Sequence, residues 1–502
     1  MMSVSNSVFS SRIKGSLRGV TLLALTALTT LTAVDVYSAE TGTLQAAADS
    51  LSASKVKSVA FTGSGSWYQF GQAPSPTTAW PKFDVSSYSA TINYETAAAH
   101  VQITRKQAIE AGRLRPAPVE QKADQYVNGT TAWNIGGTPV AAQPQPAAVE
   151  EREAEIWTTP QGFLRAAAAN KAASTSVNGG TVVSFTLGGY RYVGTINNQN
   201  QVESVQTWID NPILGDTTYE TSYSDYKAFN GVNFPTHIVR KLGGYPVLDL
   251  NVDSVSINAE AKISVPPEVS SASAPKITVT SDQLAPGVFY LKGGTHHSVA
   301  IEQKDYVVLV EAPLNEARSE ALIAKIKEII PNKPITTVVN THQHFDHSGG
   351  LRTFVDAGAT IVTQQLNKPY YEKAWAAPHT INPDRLAKSH KAAKFQTFGD
   401  NWILTDGRRF IEIYQIAGSG HNDAFALVYL PGEKILIEAD AFTPTAVGAP
   451  LPSPVNPYTV NLYDNIKRLN LDVQQIAALH GPRVTTLADL KEAIGQSSIA
   501  GK

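Results

Sequence analysis

The run His342-Gln343-His344-Phe345-Asp346-His347 places three imidazoles and a carboxylate within six residues, directly after the apolar, β-branched stretch Ile335–Val339. A buried structural histidine needs one hydrogen-bond partner. Four such groups crowded onto one turn would leave polar atoms unsatisfied unless a cation organised them. The spacing therefore predicts a metal site at the end of a strand. The chain has no cysteine, which excludes disulfides and thiolate ligation, so any metal is held by nitrogen and oxygen. Zn²⁺ takes such donors, and so do Mn²⁺ and Fe²⁺.

The elements that must position this turn are read from pattern. Nine of the eleven histidines follow position 276, so the chemistry belongs to the second half. There, short apolar runs at 288–292, 298–302 and 306–310 precede a helical pattern at 316–329 and the strand before the histidines. A helix at 350–357 and strands at 360–363, 410–416, 424–429 and 434–438 follow, giving alternating α and β with ligands at sheet ends. The first half is dominated by strand signals at 56–70, 88–94, 100–106, 181–192 and 203–209, which predict an antiparallel sheet with one covered face. Residues 136–146, rich in Pro, Ala and Gln, read as an exposed loop. Between the halves, Val265-Pro266-Pro267 and the small polar run 270–275 read as a linker, placing the boundary near 272.

Length and composition bound the partners. A chain of 502 residues with 42% hydrophobic content has room for two or three cored domains. A formal net charge of -2 and 17% charged residues offer no basic field for nucleic acid or acidic membranes. Residues 1–39 read as a secretory signal peptide: Arg12, Lys14 and Arg18 precede an apolar stretch at 20–34, with small residues at 36–39 for cleavage. That stretch is shorter than the ~20 residues a spanning helix needs, so stable membrane insertion is not expected. The expected organisation is a signal peptide (1–39), a β-rich domain (40–272) and a catalytic domain (273–502), exported to a bacterial periplasm or beyond.

Four stretches of the second half then fall in a recognisable order. They are the histidine turn at 341–347, Gly418-Ser419-Gly420-His421, Glu438-Ala439-Asp440 and Leu479-His480-Gly481. With them, the chain from about 276 onward resembles the metallo-β-lactamase fold superfamily. The resemblance implies an α/β fold, a four-layer αββα sandwich with its site on one edge of two packed sheets, preceded here by the antiparallel β-rich domain. It implies that His342, His344 and His421 hold one metal, that Asp346, His347 and His480 hold the second, and that Asp440 bridges them. Two Zn²⁺ per chain are expected, with Fe or Mn as alternatives. Asp346 is the catalytic candidate, because it can also orient the hydroxide shared by such a pair. His296 and His297 are candidates for supporting a ligand or touching substrate. Glu311 stands where many relatives carry an aspartate that orients a ligand histidine. Tyr370, Tyr371, Trp375 and Tyr458 are aromatic candidates for the pocket wall. In the first half, 219–226 and 229–234 look similar to segments of the curved half-barrel of periplasmic lipoprotein carriers.

Fold alone names no substrate. Members that cleave β-lactams generally carry Cys, Ser or another residue where Asp440 stands, and flavodiiron reductases replace the second histidine of the turn with glutamate, so His344 argues against them. The leading expectation is a binuclear zinc hydrolase whose bridging hydroxide cleaves a small ester, lactone, thioester or phosphoester. A mononuclear iron dioxygenase acting on persulfides is the second reading. A non-catalytic lipid or ligand carrier with a structural metal is the third. The expected partner is a small molecule, with homo-oligomerisation left open.

Overall fold

The computed structural model describes residues 33–273 and 276–496. Most of the proposed signal peptide lies outside them. Among the described residues no helix is long and apolar enough to cross a membrane.

The first domain is one antiparallel sheet of thirteen strands between Ser58 and Ile257. Six strands run outward from Ser58–Tyr68 to Ala141–Pro144, and seven run back from Ala173–Val177 to Tyr245–Ile257. The two groups join where Ser58–Tyr68 pairs with Tyr245–Ile257. Alternation of buried side chains gives each strand one covered face. In Lys82–Asn93 the buried set shifts from Phe83 and Val85 to Tyr88, Ala90 and Ile92, because a bulge between Val85 and Ser87 inserts one residue and changes the phase.

The covered face is packed by two helices, Val149–Thr158 and Pro160–Ala169, which the strand-dominated pattern did not reveal. Thr159 caps the second by accepting from the N–H of Gly162. Val149–Thr158 touches Ala98–Gln107 and Glu120–Asn128 as well as Val202–Asn211 and Gly215–Phe229. Those strands lie on opposite wings, so the sheet curls around the helix. Beneath it Arg240 pairs with Glu155 at 2.7 Å, beside a small cavity lined by Phe61, Tyr88 and Tyr223.

Two sequence expectations are corrected. Residues 181–192 are two strands, Gly180–Leu187 and Tyr190–Ile196, because Gly188 and Gly189 (φ 59° and 91°) form a two-residue turn open only to residues tolerant of positive φ. Within 136–146, Ala141–Pro144 pairs with Thr131–Gly136, and Pro144 is tolerated because the strand is at the sheet edge.

The second domain has two sheets. One has seven strands from Thr280–Ala285 to Lys394–Phe398, parallel from Val307–Val310 onward. The other has six, from Asn401–Thr405 to Thr485–Thr486. Val308 and Val310 enter the core between the sheets beside Ile413 and Val428, while Val307 and Leu309 face Leu322 and Ile326 of the outer helix Glu316–Ile329. Pro457–Arg468 and Leu487–Ala493 cover the other side through Leu462, Ile466 and Leu490. The order is helix, sheet, sheet, helix. The first sheet also docks on this domain, where Asp216 accepts from the N–H groups of Thr380 and Ile381, and Arg113 meets Asp423 at 2.8 Å.

Candidate metal centre

Every candidate ligand sits just past a strand end, in a turn, or, for Asp346 and His347, on the short helix Phe345–Ser348 at one edge of the sandwich. Ile335–Val339 ends before His342, Ile435–Glu438 before Asp440 and Gln475–Ala478 before His480. His421 lies in the turn between Phe410–Gln415 and Ala426–Leu430. The C-terminal ends of strands in α/β sheets are where side chains converge without interrupting the ladder.

The structure brings the seven candidate ligands together, six of them around Asp440. Its Oδ2 is 2.9 Å from His347 Nε2, 3.4 Å from His342 Nε2 and 3.6 Å from His421 Nε2, and its Oδ1 is 3.2 Å from His480 Nε2. Ring nitrogens of His342, His344 and His421 form one group and those of His347 and His480 another with Asp346, each with its ligand atoms within 4.8 Å of one another. Several bare nitrogens face each other: His347 Nε2 and His480 Nε2 are 2.9 Å apart, and His342 Nε2 and His421 Nε2 are 3.3 Å apart. Two ligands at ~2.0–2.1 Å from one tetrahedral Zn²⁺ stand about 3.3 Å apart, so this spacing fits donors around a cation. His344 is fully buried, its Nε2 is taken by the carbonyl of Ala73 at 2.9 Å, and its Nδ1 has no partner. That orphaned lone pair also fits a metal.

The charge states agree. Burial, with neighbouring imidazoles, holds His342 well below the usual histidine range and pushes His344 down to about 3; burial lowers His421 as well. These rings are neutral ligands at neutral pH. Burial would also lower His347 and His480, but the Asp440 carboxylate outweighs it and raises both. Asp346 and Asp440 are held below the usual carboxylate range, because His347 overcomes the opposite effect of burial.

The other candidates divide. His296 reaches the second group, its Nε2 3.2 Å from Asp346 Oδ2 and its Nδ1 2.8 Å from Thr295 Oγ1. His297 does not: its Nε2 donates to Gly481 O at 2.8 Å and its Nδ1 accepts from the N–H of Gly293 at 3.3 Å. Consecutive residues in extended chain face opposite ways, so only one of the pair can face the site. Glu311 is wholly buried with φ 70°; one oxygen accepts from the Thr341 N–H at 2.5 Å and the other from His347 Nδ1 at 3.0 Å. Tyr458 stands 5.3 Å from the His421 ring. Tyr371 is no wall residue: it is buried beneath the turn, donating to Asn340 Oδ1 at 2.6 Å, with Trp375 stacked on it.

Several supporting residues were not evident in the sequence. Asn340 Nδ2 donates to the carbonyl of His342, and Asn422 Nδ2 donates to Gln343 Oε1. Glu438 Oε2 accepts from the N–H groups of Ala441 and Phe442, fixing the turn that carries Asp440. Adjacency to a ligand was the one signal available for these. Gln72 and Ala73 carried none, because they lie some 270 positions away in the other domain.

Residues 291–473 match the family described as the metallo-beta-lactamase superfamily. The 2,4-dinitroanisole O-demethylase subunit alpha of Nocardioides sp. is 23% identical over 168 residues, 32% of this chain and 46% of that protein. The metallo-beta-lactamase type 2 of Elizabethkingia meningoseptica is 28% identical over 131 residues, 26% of this chain and 46% of that protein. The chain thus spans just under half the length of either relative. A metallo-beta-lactamase from Pontibacter korlensis aligns with 44% of this chain and 98% of its own, at 19% identity and a TM-score of 0.33. With its sandwich and its His/Asp groups at the strand ends, the segment 291–473 is a metallo-beta-lactamase superfamily domain.

Proposed function

We propose that this chain is a binuclear metallohydrolase that cleaves a small ester, lactone, thioester or phosphoester. The observation that carries the reading is Asp440, whose Oδ2 lies within 3.6 Å of His342 and His421 from one group and His347 from the other. A carboxylate so placed would hold two cations together. His342, His344 and His421 would hold one and Asp346, His347 and His480 the other. Two zinc ions bound there supply Lewis acidity and an ionised water at neutral pH.

The remaining work falls to the chain. Asp346 is 29% exposed in its side chain and held ionised, so it can accept a hydrogen bond from a water and orient it. His296 and Gln72 grip its two oxygens and fix that direction. Tyr458, whose hydroxyl accepts from Arg115 Nη1 at 3.3 Å, offers its O–H as a donor beside His421. The basic and apolar leader supports export, which places the substrate outside the cytoplasm.

The test is metal content by plasma mass spectrometry on the purified protein and on Asp440→Ala, followed by a panel of the four substrate classes. Two zinc per chain, falling to one or fewer in the variant, with hydrolysis of a panel member, is the expected result. One iron per chain with oxygen consumption on persulfides would replace this reading by the dioxygenase.

A further inference from the structure

Residues 69–81 join the first two strands of the N-terminal sheet, and they lie against the histidine turn of the other domain. Gly71 O accepts from the Phe345 N–H at 3.2 Å, and Pro74 O accepts from the Asp423 N–H at 2.8 Å. Phe70 meets Phe345 edge-on at 5.1 Å and is backed by Trp80 at 4.4 Å. Gly71 has φ 78°, and a Cβ there would fall 2.5 Å from the Phe345 ring, so only glycine lets the loop approach this closely.

Between these anchors the loop reaches two candidate ligands. Ala73 O accepts from His344 Nε2 at 2.9 Å, from Gln343 Nε2 at 2.9 Å and from Asn422 Nδ2 at 3.1 Å. Gln72 Nε2 donates to Asp346 Oδ1 at 2.8 Å. A neutral imidazole carries one N–H. If Nε2–H is committed to Ala73, Nδ1 is left as the lone pair, and the ring cannot rotate away without orphaning its own buried Nε2–H. The amide of Gln72 likewise fixes the plane of the Asp346 carboxylate, whose other oxygen meets His296.

We propose that the N-terminal domain is an integral part of the metal centre: the Ala73 carbonyl sets the ligating nitrogen of His344, one ligand of the first metal, and Gln72 is a positioning residue for Asp346, a ligand of the second. The inference rests on the binuclear reading. It assigns the β-rich domain a task, to hold ligands from outside the domain that contains them, and it predicts that metal affinity responds to changes in a loop with no ligand of its own.

The experiment uses the full chain and zinc alone, measuring both zinc affinities by competition with a chromophoric chelator and the unfolding temperature of the chelator-treated protein. Gln72→Leu removes the donor at a half-buried position and keeps the bulk. The expected result is a ~10–100-fold weaker second zinc with an unchanged metal-free unfolding temperature. Gly71→Ala, which forces the loop off Phe345, weakens both sites. Asp216→Ala removes a docking contact to Thr380 far from the ligands and leaves both affinities within about twofold, since it touches no group around the metals. Two zinc ions in the parent protein with Gln72→Leu unchanged would overturn this inference alone. Asp216→Ala weakening zinc as much as Gln72→Leu would also overturn it, by making the effect one of docking. A parent protein that binds no metal removes the binuclear reading and this inference with it. Should Gly71→Ala not fold, Gln72→Leu decides.

Discussion

Replacing Glu311 by glutamine tests how the second metal is held. Glu311 is wholly buried and accepts two hydrogen bonds, from the Thr341 N–H at 2.5 Å and from His347 Nδ1 at 3.0 Å. Glutamine has the same shape and the same backbone cost at φ 70°, but only one of its two terminal atoms accepts. One donor is left facing an amide NH₂. A hydrogen bond to a charged group contributes ~1.5–3 kcal/mol, which matches the 10–100-fold loss, about 1.4–2.7 kcal/mol, seen when a partner behind a metal ligand is removed. If His347 loses its acceptor, its proton can move to Nε2, the nitrogen that faces Asp440 at 2.9 Å. The expected outcome is a second zinc weakened ~10–100-fold, with the three-histidine group within about twofold of the parent. Competition against a chromophoric chelator resolves the two steps, and unfolding of the metal-free protein detects any folding defect. Equal weakening of both sites, or of neither, would refute the argument that Glu311 acts through His347.

His296→Ala is expected to weaken the second zinc about tenfold, while His297→Ala lowers unfolding free energy by ~1–3 kcal/mol and leaves zinc affinity unchanged; the same chelator and urea measurements separate the two. Tyr371→Phe removes the O–H bonded to Asn340 beneath the histidine turn and should cost ~1–2 kcal/mol in urea unfolding; an unchanged midpoint would refute a bracing role. His347 and His480 have raised pKa values in the metal-free fold, so they carry protons at pH values where free histidine has lost them. Zinc must displace those protons, so affinity of the second site rises with pH through these pKa values and falls on acidification. The first site, whose histidines are depressed, holds its metal to lower pH. Calorimetry in buffers of different ionisation enthalpy should show proton release on filling the second site and little on filling the first; equal release at both would contradict this.

The sequence by itself determined the histidine turn and its strand, because ligand types four deep in six positions leave no other economical reading. The sandwich was legible only through the resemblance that the four ordered stretches carry; the structure shows its physical basis, with Val307–Val310 and Ile335–Val339 alternating between two apolar cores that need cover on both faces. Sequence pattern missed Val149–Thr158 and Pro160–Ala169; the helical period of the second is blurred by its run of alanines. Which of two adjacent histidines faces the cluster was decided only by tertiary structure, through the phase of an extended segment that local pattern does not fix. Tertiary structure also decided the role of residues 69–81. Gln72 and Ala73 are ordinary loop residues, and they approach His344 and Asp346 only because two separately cored domains dock at that edge. Long-range polar contacts of this kind depend on the relative placement of whole sheets, and no spacing along the chain encodes that placement.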